Sequence, residues 1–530
     1  MGRRAAAARP VTSALDAAEA RLATLERDAN RAWWAMACDA TDAHSDAAEA
    51  ASAALEHALA DPALAAAAVP ADDAPLERRR AEVLRLMTAG RRRPPALIDR
   101  IVRLETELMG IHSRYRAADG DRELDAAAVD RVLQTSTDVA ERERVWTSAR
   151  GVGAEAAGPL RELVRLRNEA ARALGHRDHY AMSLALDELD EARLYGLLDA
   201  LEARLEGAWA AERGRIAAER RRALGLPDDA PLMPWHLVDP FGQEAPSVGP
   251  DPLEPVIGQV DALAASCAYF ADLGQPMEGV VDRSDVLPRP GKDQHAFMMH
   301  VDRTGDVRTL LNLTPTVRWL ETTLHELGHA AYEVALDPAL PWLLRDPAHT
   351  LVTEAIAMLH GRRGRDAAFL ERYAGVPADV ARDPANAATL RRGLLILAAW
   401  VPVMVRFERA LYADPDQDLD GVWWDLVERH QGIGRPPAPP ADAWASKIHL
   451  AVAPVYYQNY LLGEILASQI QAWTMRETGA ASPARDPVRV GPLIAERLLR
   501  PGASVRWDRL VEQATGAPLG VDAFVRDAAA

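Results

Sequence analysis

Thr314-Pro315 opens a stretch in which apolar residues recur at Val317, Leu320, Leu324, Leu327, Ala331 and Val334. That spacing is one face of an α-helix. Thr314 is its expected cap, and Pro315 suits the first helical position. The stretch contains His325-Glu326-Leu-Gly-His329. Histidines four apart lie one turn apart on a single stripe, so both rings can reach one metal ion. Glu326, rotated away by one residue, can reach the open coordination position and take a proton from water there. A catalytic zinc needs a third protein ligand and an open fourth position. No further histidine follows His329 at the spacing that would continue the motif. Glu354, in Thr353-Glu354-Ala-Ile-Ala-Met358, is the expected third ligand, with Thr350 as the cap of its helix and Pro338, Pro341 and Pro347 in the turn between. One Zn2+ per chain follows.

The rest of the chain favours helices. It has 530 residues, 49% hydrophobic and only 5% aromatic. Ala, Leu, Arg and Glu dominate, and all are good helix formers. Ala-rich helices are expected from 13 to about 68, with more to about 174 and a long charged one over 188–223. Helices resume at 315–335, 350–363, 387–413, 420–431 and 455–477. One β signal stands out: 295–301 and 307–313 around a Gly-containing turn read as a hairpin. Prolines punctuate 227–255, but Trp235, His236, Phe241 and Gln243 embedded there point to an ordered loop rather than a linker.

A formal charge of −17 argues against a nucleic-acid binder, which needs a basic face. The clusters Arg78–Arg80, Arg91–Arg93 and Arg220–Arg222 read as solvated helix faces. Cys38 and Cys267 do not make a disulfide framework and are expected as reduced, mostly buried thiols of a cytoplasmic protein. Met1-Gly2-Arg3-Arg4-Ala5 lacks an apolar run before Pro10, Thr12 and Ser13, and no lipidation signal is expected. The longest uncharged apolar run, Gly393–Val405, contains Pro402 and is too short for a membrane span. Only two of the 61 basic residues are lysines. Lys292, in a Pro/Gly-rich loop, reads as chance. Lys447 stands close to His449 and to Tyr456, Tyr457 and Tyr460, three of only 10 tyrosines.

The motifs H-E-L-G-H and T-E-A-I-A together resemble the peptidyl-dipeptidase A family, relatives of angiotensin-converting enzyme, and the neighbouring oligopeptidases. Segments from Leu163 to Asp178, Met233 to Gln243, Lys447 to His449 and Pro454 to Tyr460 are also similar, so the resemblance runs over roughly 130–500. It implies a large, mainly α-helical zinc peptidase with two lobes around a deep central cleft and a small β hairpin beside the active site. The whole chain would be one catalytic domain, with lid-like helices in about the first 120 residues. The resemblance further implies that His325, His329 and Glu354 hold zinc and that Glu326 is the general base. It gives His295 and His449 the substrate carbonyl, Ala296 a backbone pairing with substrate, and Tyr460 the oxyanion. Gln243, Lys447 and Tyr457 would grip a free C-terminal carboxylate, with Tyr456 as a rival to Tyr457. Two departures stand out. Met358 replaces an acid that orients a zinc histidine, so another acceptor is expected. Asn459 replaces an arginine that helps bind chloride, so little chloride activation is expected.

The expected reaction is hydrolysis of short peptides, with release of C-terminal dipeptides. A metallocarboxypeptidase and a thimet-type oligopeptidase are the enzyme alternatives. A degenerate peptide-binding protein is the non-enzyme one. No membrane anchor and no nucleic-acid partner are expected.

Overall fold

Ala- and Leu-rich runs between proline breaks become helices in the computed structural model, which describes residues 13–246 and 248–529. The readings of Met1–Ala5, Pro10 and Thr12 lie outside the described residues. The architecture is mainly α. Its strands form two antiparallel ladders, β1 (Ala117–Asp119) with β2 (Arg122–Leu124) and β3 (Phe297–His300) with β4 (Val307–Leu310). The chain divides into two compact units. The first takes residues up to Arg92, Asp261–Thr353 and Asp486–Pro518. The second takes Arg93–Val260, Glu354–Arg485 and the residues from Leu519.

In the first unit, helix Ala14–Cys38 starts with a capping box between Ser13 and Asp16. It buries Leu15 and Leu22 against Leu59, Leu84 and Leu343. Its far end meets the hairpin. Trp33 and Trp34 pack on Phe297 with ring centroids 4.6 and 5.9 Å away, and Asn30 Nδ2 donates to the carbonyls of His300 and Val301. The N-terminal helices are thus built into this unit's core. Helix Val317–Ala335 buries Leu320, Leu324, Leu327 and Ala331 completely, each leucine contributing roughly 1.5–3 kcal/mol. Its cap is Thr316, whose hydroxyl accepts from Trp319 N. Thr314 and Pro315 precede the helix, because the Thr316 N–H turns back onto the Thr314 carbonyl. Val334, expected on the buried stripe, is 45% exposed. It lies in the last turn, where the core is closed by Tyr332 instead, whose hydroxyl donates to Leu498 O.

Three surface readings change. Arg80 is buried and pairs with Asp16 and Glu19 of the first helix. Arg220 reaches the His236 carbonyl at 2.7 Å. The two cysteines are half-buried, not buried, and unpaired. Lys292, read as chance, has a structural reason. Its Nζ has the Asp285 carboxylate and the carbonyls of Asp285, Leu287 and Leu311 in bonding reach, which ties the loop after Asp285 to the end of β4. A compact ammonium fits this cage, whereas a planar guanidinium does not.

In the second unit, helix Pro384–Ala413 is the central element. Trp400 and Phe407 pack on Trp423 with centroids 6.1 and 5.1 Å apart. The proline-rich loop is tied down from Trp235 to Glu244, as its aromatics suggested. Arg142 Nε donates to Trp235 O, Trp146 Nε1 to Pro240 O, and the Asp239 carboxylate accepts from the N–H groups of Phe241, Gln243 and Glu244. No helix among the described residues is long and apolar enough to cross a membrane. Gly393–Val405 lies inside Pro384–Ala413, mostly buried, with Pro402 within the helix.

Candidate metal centre and carboxylate cluster

His325 and His329 project from one helix. Glu354 projects from helix Thr350–Gly361, whose first turn begins with His349 Nδ1 accepting from Leu351 N. Thr350 is therefore the first helical residue and not the cap. The candidate ligand atoms of His325, His329 and Glu354 all lie within 4.8 Å of one another. Two neutral imidazoles and one carboxylate are a donor set that suits zinc and leaves a coordination position open. Burial holds His325 down at about 4 and His329 well below the ordinary imidazole range, so both keep a lone pair at neutral pH. Burial pushes Glu354 up to about 7. These are the residues whose desolvation a bound cation would offset. Glu326 is buried on the same helix.

Thr353, on the same helix as Met358, is the residue that reaches a histidine ring. Its hydroxyl lies 2.7 Å from His329 Nδ1, a contact that leaves Nε2 free and fixes the ring. Met358 Sδ instead meets Gly463. A Cβ there would stand 3.2 Å from that sulfur and 3.0 Å from Glu354 Cβ, so the absent side chain is what lets the helices Thr350–Gly361 and Gln458–Thr478 approach. Arg362 locks the same pair, with Nε 2.9 Å from the Glu464 carboxylate and Nη1 3.0 Å from the Ser468 hydroxyl.

The tyrosines diverge from one another. Tyr456 Oη donates to Glu354 Oε1 at 3.1 Å. Tyr457 Oη lies 3.4 Å from Gln243 Oε1, which also accepts from Lys447 Nζ at 2.8 Å. Tyr457 thus stands with Gln243 and Lys447, and Tyr456 braces the glutamate. Tyr460 packs on both, with ring centroids 5.2 and 5.5 Å away. His449 packs on Tyr457 at 5.1 Å. In the first unit, His295 is exposed at the start of an Asp293-capped turn, and Ala296 immediately precedes β3, which pairs on one side only, with β4.

Lys447 is nearly enclosed. Its ammonium stands over Phe241 at 4.5 Å, Tyr457 at 5.3 Å and Trp400 at 5.4 Å. Burial pushes it down to about 7; Asp239 and Glu244 oppose this, and Arg150 adds to it. Sequence reasoning did not single out Arg150. It is buried, stacked on Phe241 at 4.1 Å, with Nε and Nη1 lacking hydrogen-bond partners. The field at Lys447 is therefore set by Arg150 on one side and by Asp239 and Glu244 on the other, and burial raises the pKa of Asp239 itself.

Val455 was also missed. It is a β-branched residue at φ +55, a strained conformation that the surroundings must impose. Its N–H donates to Glu408 Oε1 at 2.7 Å and its carbonyl accepts from Gln458 Nε2 at 2.6 Å. This reversal delays the helix, expected from 455, until Gln458, and it sends Tyr456 and Tyr457 to different partners. Asn459, next in the chain, is buried and neutral.

Residues 6–209 match the family model described as angiotensin-converting enzyme. The match takes in the N-terminal helices, where the motifs carried no resemblance, and ends before the two-histidine helix. No curated protein matches the chain.

Proposed function

We propose that this chain, a metallopeptidase of the angiotensin-converting-enzyme-like family, uses zinc to hydrolyse oligopeptides from their free C-termini and releases dipeptides. The observation that carries the reading is the convergence of His325, His329 and Glu354. These three would hold a zinc ion, which would supply a Lewis acid for the attacking water and the scissile carbonyl. Glu326 takes the proton of the attacking water and passes it to the leaving amine. Tyr460 and His449 donate hydrogen bonds where negative charge develops. His295 holds a substrate carbonyl, and Ala296 on the unpaired edge of the hairpin pairs with the substrate backbone as an added strand.

Lys447, Gln243 and Tyr457 bind the terminal carboxylate as one charge and two hydrogen bonds. Two features support this over a structural role: among the described residues Lys447 Nζ donates to the amide oxygen of Gln243 alone, and its burial is costly unless an anion arrives. The catalytic domain spans the chain, and the two unpaired cysteines suit a cytoplasmic setting.

The test is mass spectrometry of an unblocked nonapeptide and its C-terminal amide, each incubated with wild type, chelator-treated enzyme and Glu326→Gln. Shortening of the free acid by two residues at a time, with the amide and both controls inert, supports the proposal. One-residue steps would make the protein a carboxypeptidase, and internal cuts that tolerate the amide an oligopeptidase. No cleavage by zinc-loaded wild type would overturn it in favour of a peptide-binding protein.

A further inference from the structure

The second unit holds another concavity, away from the residues assigned above. It opens between helix Glu191–Leu224, helix Pro384–Ala413 and the π-turn Val427–Gln431, with a volume of about 680 Å³. That lies in the range of small-ligand pockets, about 300–1,000 Å³. Leu201, Leu205 and Leu395, all buried, form its apolar part.

The charges around it fall into two sets. Asp199 and Glu202 are already held by Arg406, at 2.6 and 3.0 Å. Arg213, Arg429 and Glu206 also line the concavity and, among the described residues, make no ion pair or side-chain hydrogen bond. Arg213 instead rests on the backbone of Gly432, whose φ is +67 and where a Cβ would collide with the guanidinium. Two uncommitted forks and one uncommitted carboxylate beside an apolar surface complement a zwitterion with a hydrophobic side chain. The forks suit its carboxylate, Glu206 its ammonium, and the leucines its alkyl group.

The π-turn gives this concavity a route to the carboxylate cluster. Arg429 and His430 line the concavity, and Trp209 Nε1 holds the His430 carbonyl at 2.8 Å. The next residue, Gln431, donates through Nε2 to the carbonyls of Phe241 and Gly242 at 3.0 and 2.9 Å. The residue after those is Gln243. Single-turn π segments of this kind are frequent at functional positions.

We propose that this concavity is a second ligand site, which takes free amino acids or dipeptides with an apolar side chain, and that its occupancy acts on peptide binding through the Gln431–Gln243 loop. The binding half does not rest on the peptidase reading; the second half does.

The experiment has two arms. In the first, calorimetry without turnover measures L-leucine, N-acetyl-leucine and leucine amide on the full chain, wild type, R213A/R429A and Glu206→Lys. Leucine is expected to bind wild type, and both variants and both blocked derivatives to weaken binding by about tenfold or more. Equal affinity across variants, equal affinity of the blocked derivatives, or no binding to wild type overturns the site. Both variants alter solvent-accessible charges, and unchanged zinc content and thermal midpoint exclude misfolding. In the second arm, leucine is added to nonapeptide cleavage. A change in KM with kcat unaltered, absent in R213A/R429A, supports the coupling. An identical leucine effect in the variant, or none in wild type, overturns it. If cleavage itself fails, the first arm still decides the site.

Discussion

The metal centre and the carboxylate cluster are built in opposite ways. Two of the three candidate metal ligands share one turn of helix, and the third sits on a helix shortly after it in the chain. Lys447 and Gln243, by contrast, are 204 residues apart and meet only through tertiary packing. The ligands are braced one by one, His329 by Thr353 and Glu354 by Tyr456. The ammonium of Lys447 is braced mainly by an aromatic cage and one amide oxygen. Local spacing can specify a rigid, directional donor set, whereas a costly buried charge takes long-range assembly to create and an anion to satisfy.

The comparison breaks first at the metal. His325→Ala or Glu354→Ala is expected to abolish stoichiometric zinc, read by elemental analysis, and with it all cleavage. Glu326→Gln should keep the zinc and lower kcat by about 10²–10⁴. Zinc-loaded Glu326→Gln with near-normal kcat would remove Glu326 as the base.

The carboxylate cluster should respond in KM instead. Lys447→Met is expected to raise KM for a free-acid peptide by about 10–100-fold, the equivalent of roughly 1.5–3 kcal/mol for a charged hydrogen bond, with zinc content unchanged. Because burial holds Lys447 near 7, its ammonium is fully present below that pH and lost above it. KM should therefore rise between pH 7 and 9 in wild type and lose that rise in Lys447→Met. A flat wild-type profile would assign the cation role elsewhere.

Thr353→Val sharpens the metal side. Loss of the hydroxyl that orients His329 should weaken zinc by about 10–100-fold in a chelator competition, while Met358→Leu should change little. Equal affinity in both variants would mean that Thr353 does not orient the ligand.

The smallest effects concern Glu408. Burial raises its pKa to about 8, above the ordinary value, so the folded state holds a proton that the unfolded state loses first. Stability from this group is complete below the unfolded value of about 4.3 and declines as pH rises through about 8. Thermal midpoints should fall across that window in wild type, and less so in Glu408→Gln, which can still accept from Val455. Chloride should leave cleavage nearly flat, given Asn459; strong chloride-specific activation would show that an anion acts from another position.

Much of this was legible because it was local. Helical periodicity gave the two-histidine helix, and the spacing to Glu354 gave the candidate third ligand, whose carboxylate lies near both histidines. Aromatic residues among prolines marked the 227–255 loop as ordered. The errors were local too. Thr314 and Thr350 are reasonable caps by residue type, but the backbone at Thr316 and the ring of His349 took those positions. Thr353 was hidden because a hydroxyl on a helix carries no signal until a histidine is brought beside it. Val455 was hidden because its strain is imposed by Glu408 and Gln458, and Arg150 because its burial depends on Phe241 and Trp146.

By itself the sequence determined the helical class and the candidate donor residues of the metal centre, because 3.6-residue periodicity and four-residue spacing act within a single helix. Only the tertiary structure decided which tyrosine faces Glu354 and which faces Gln243, that Lys292 staples a loop while Lys447 is caged, and that the Thr353 hydroxyl lies beside His329. Those outcomes depend on burial and on contacts between residues far apart in the chain, and neither is encoded in any local pattern.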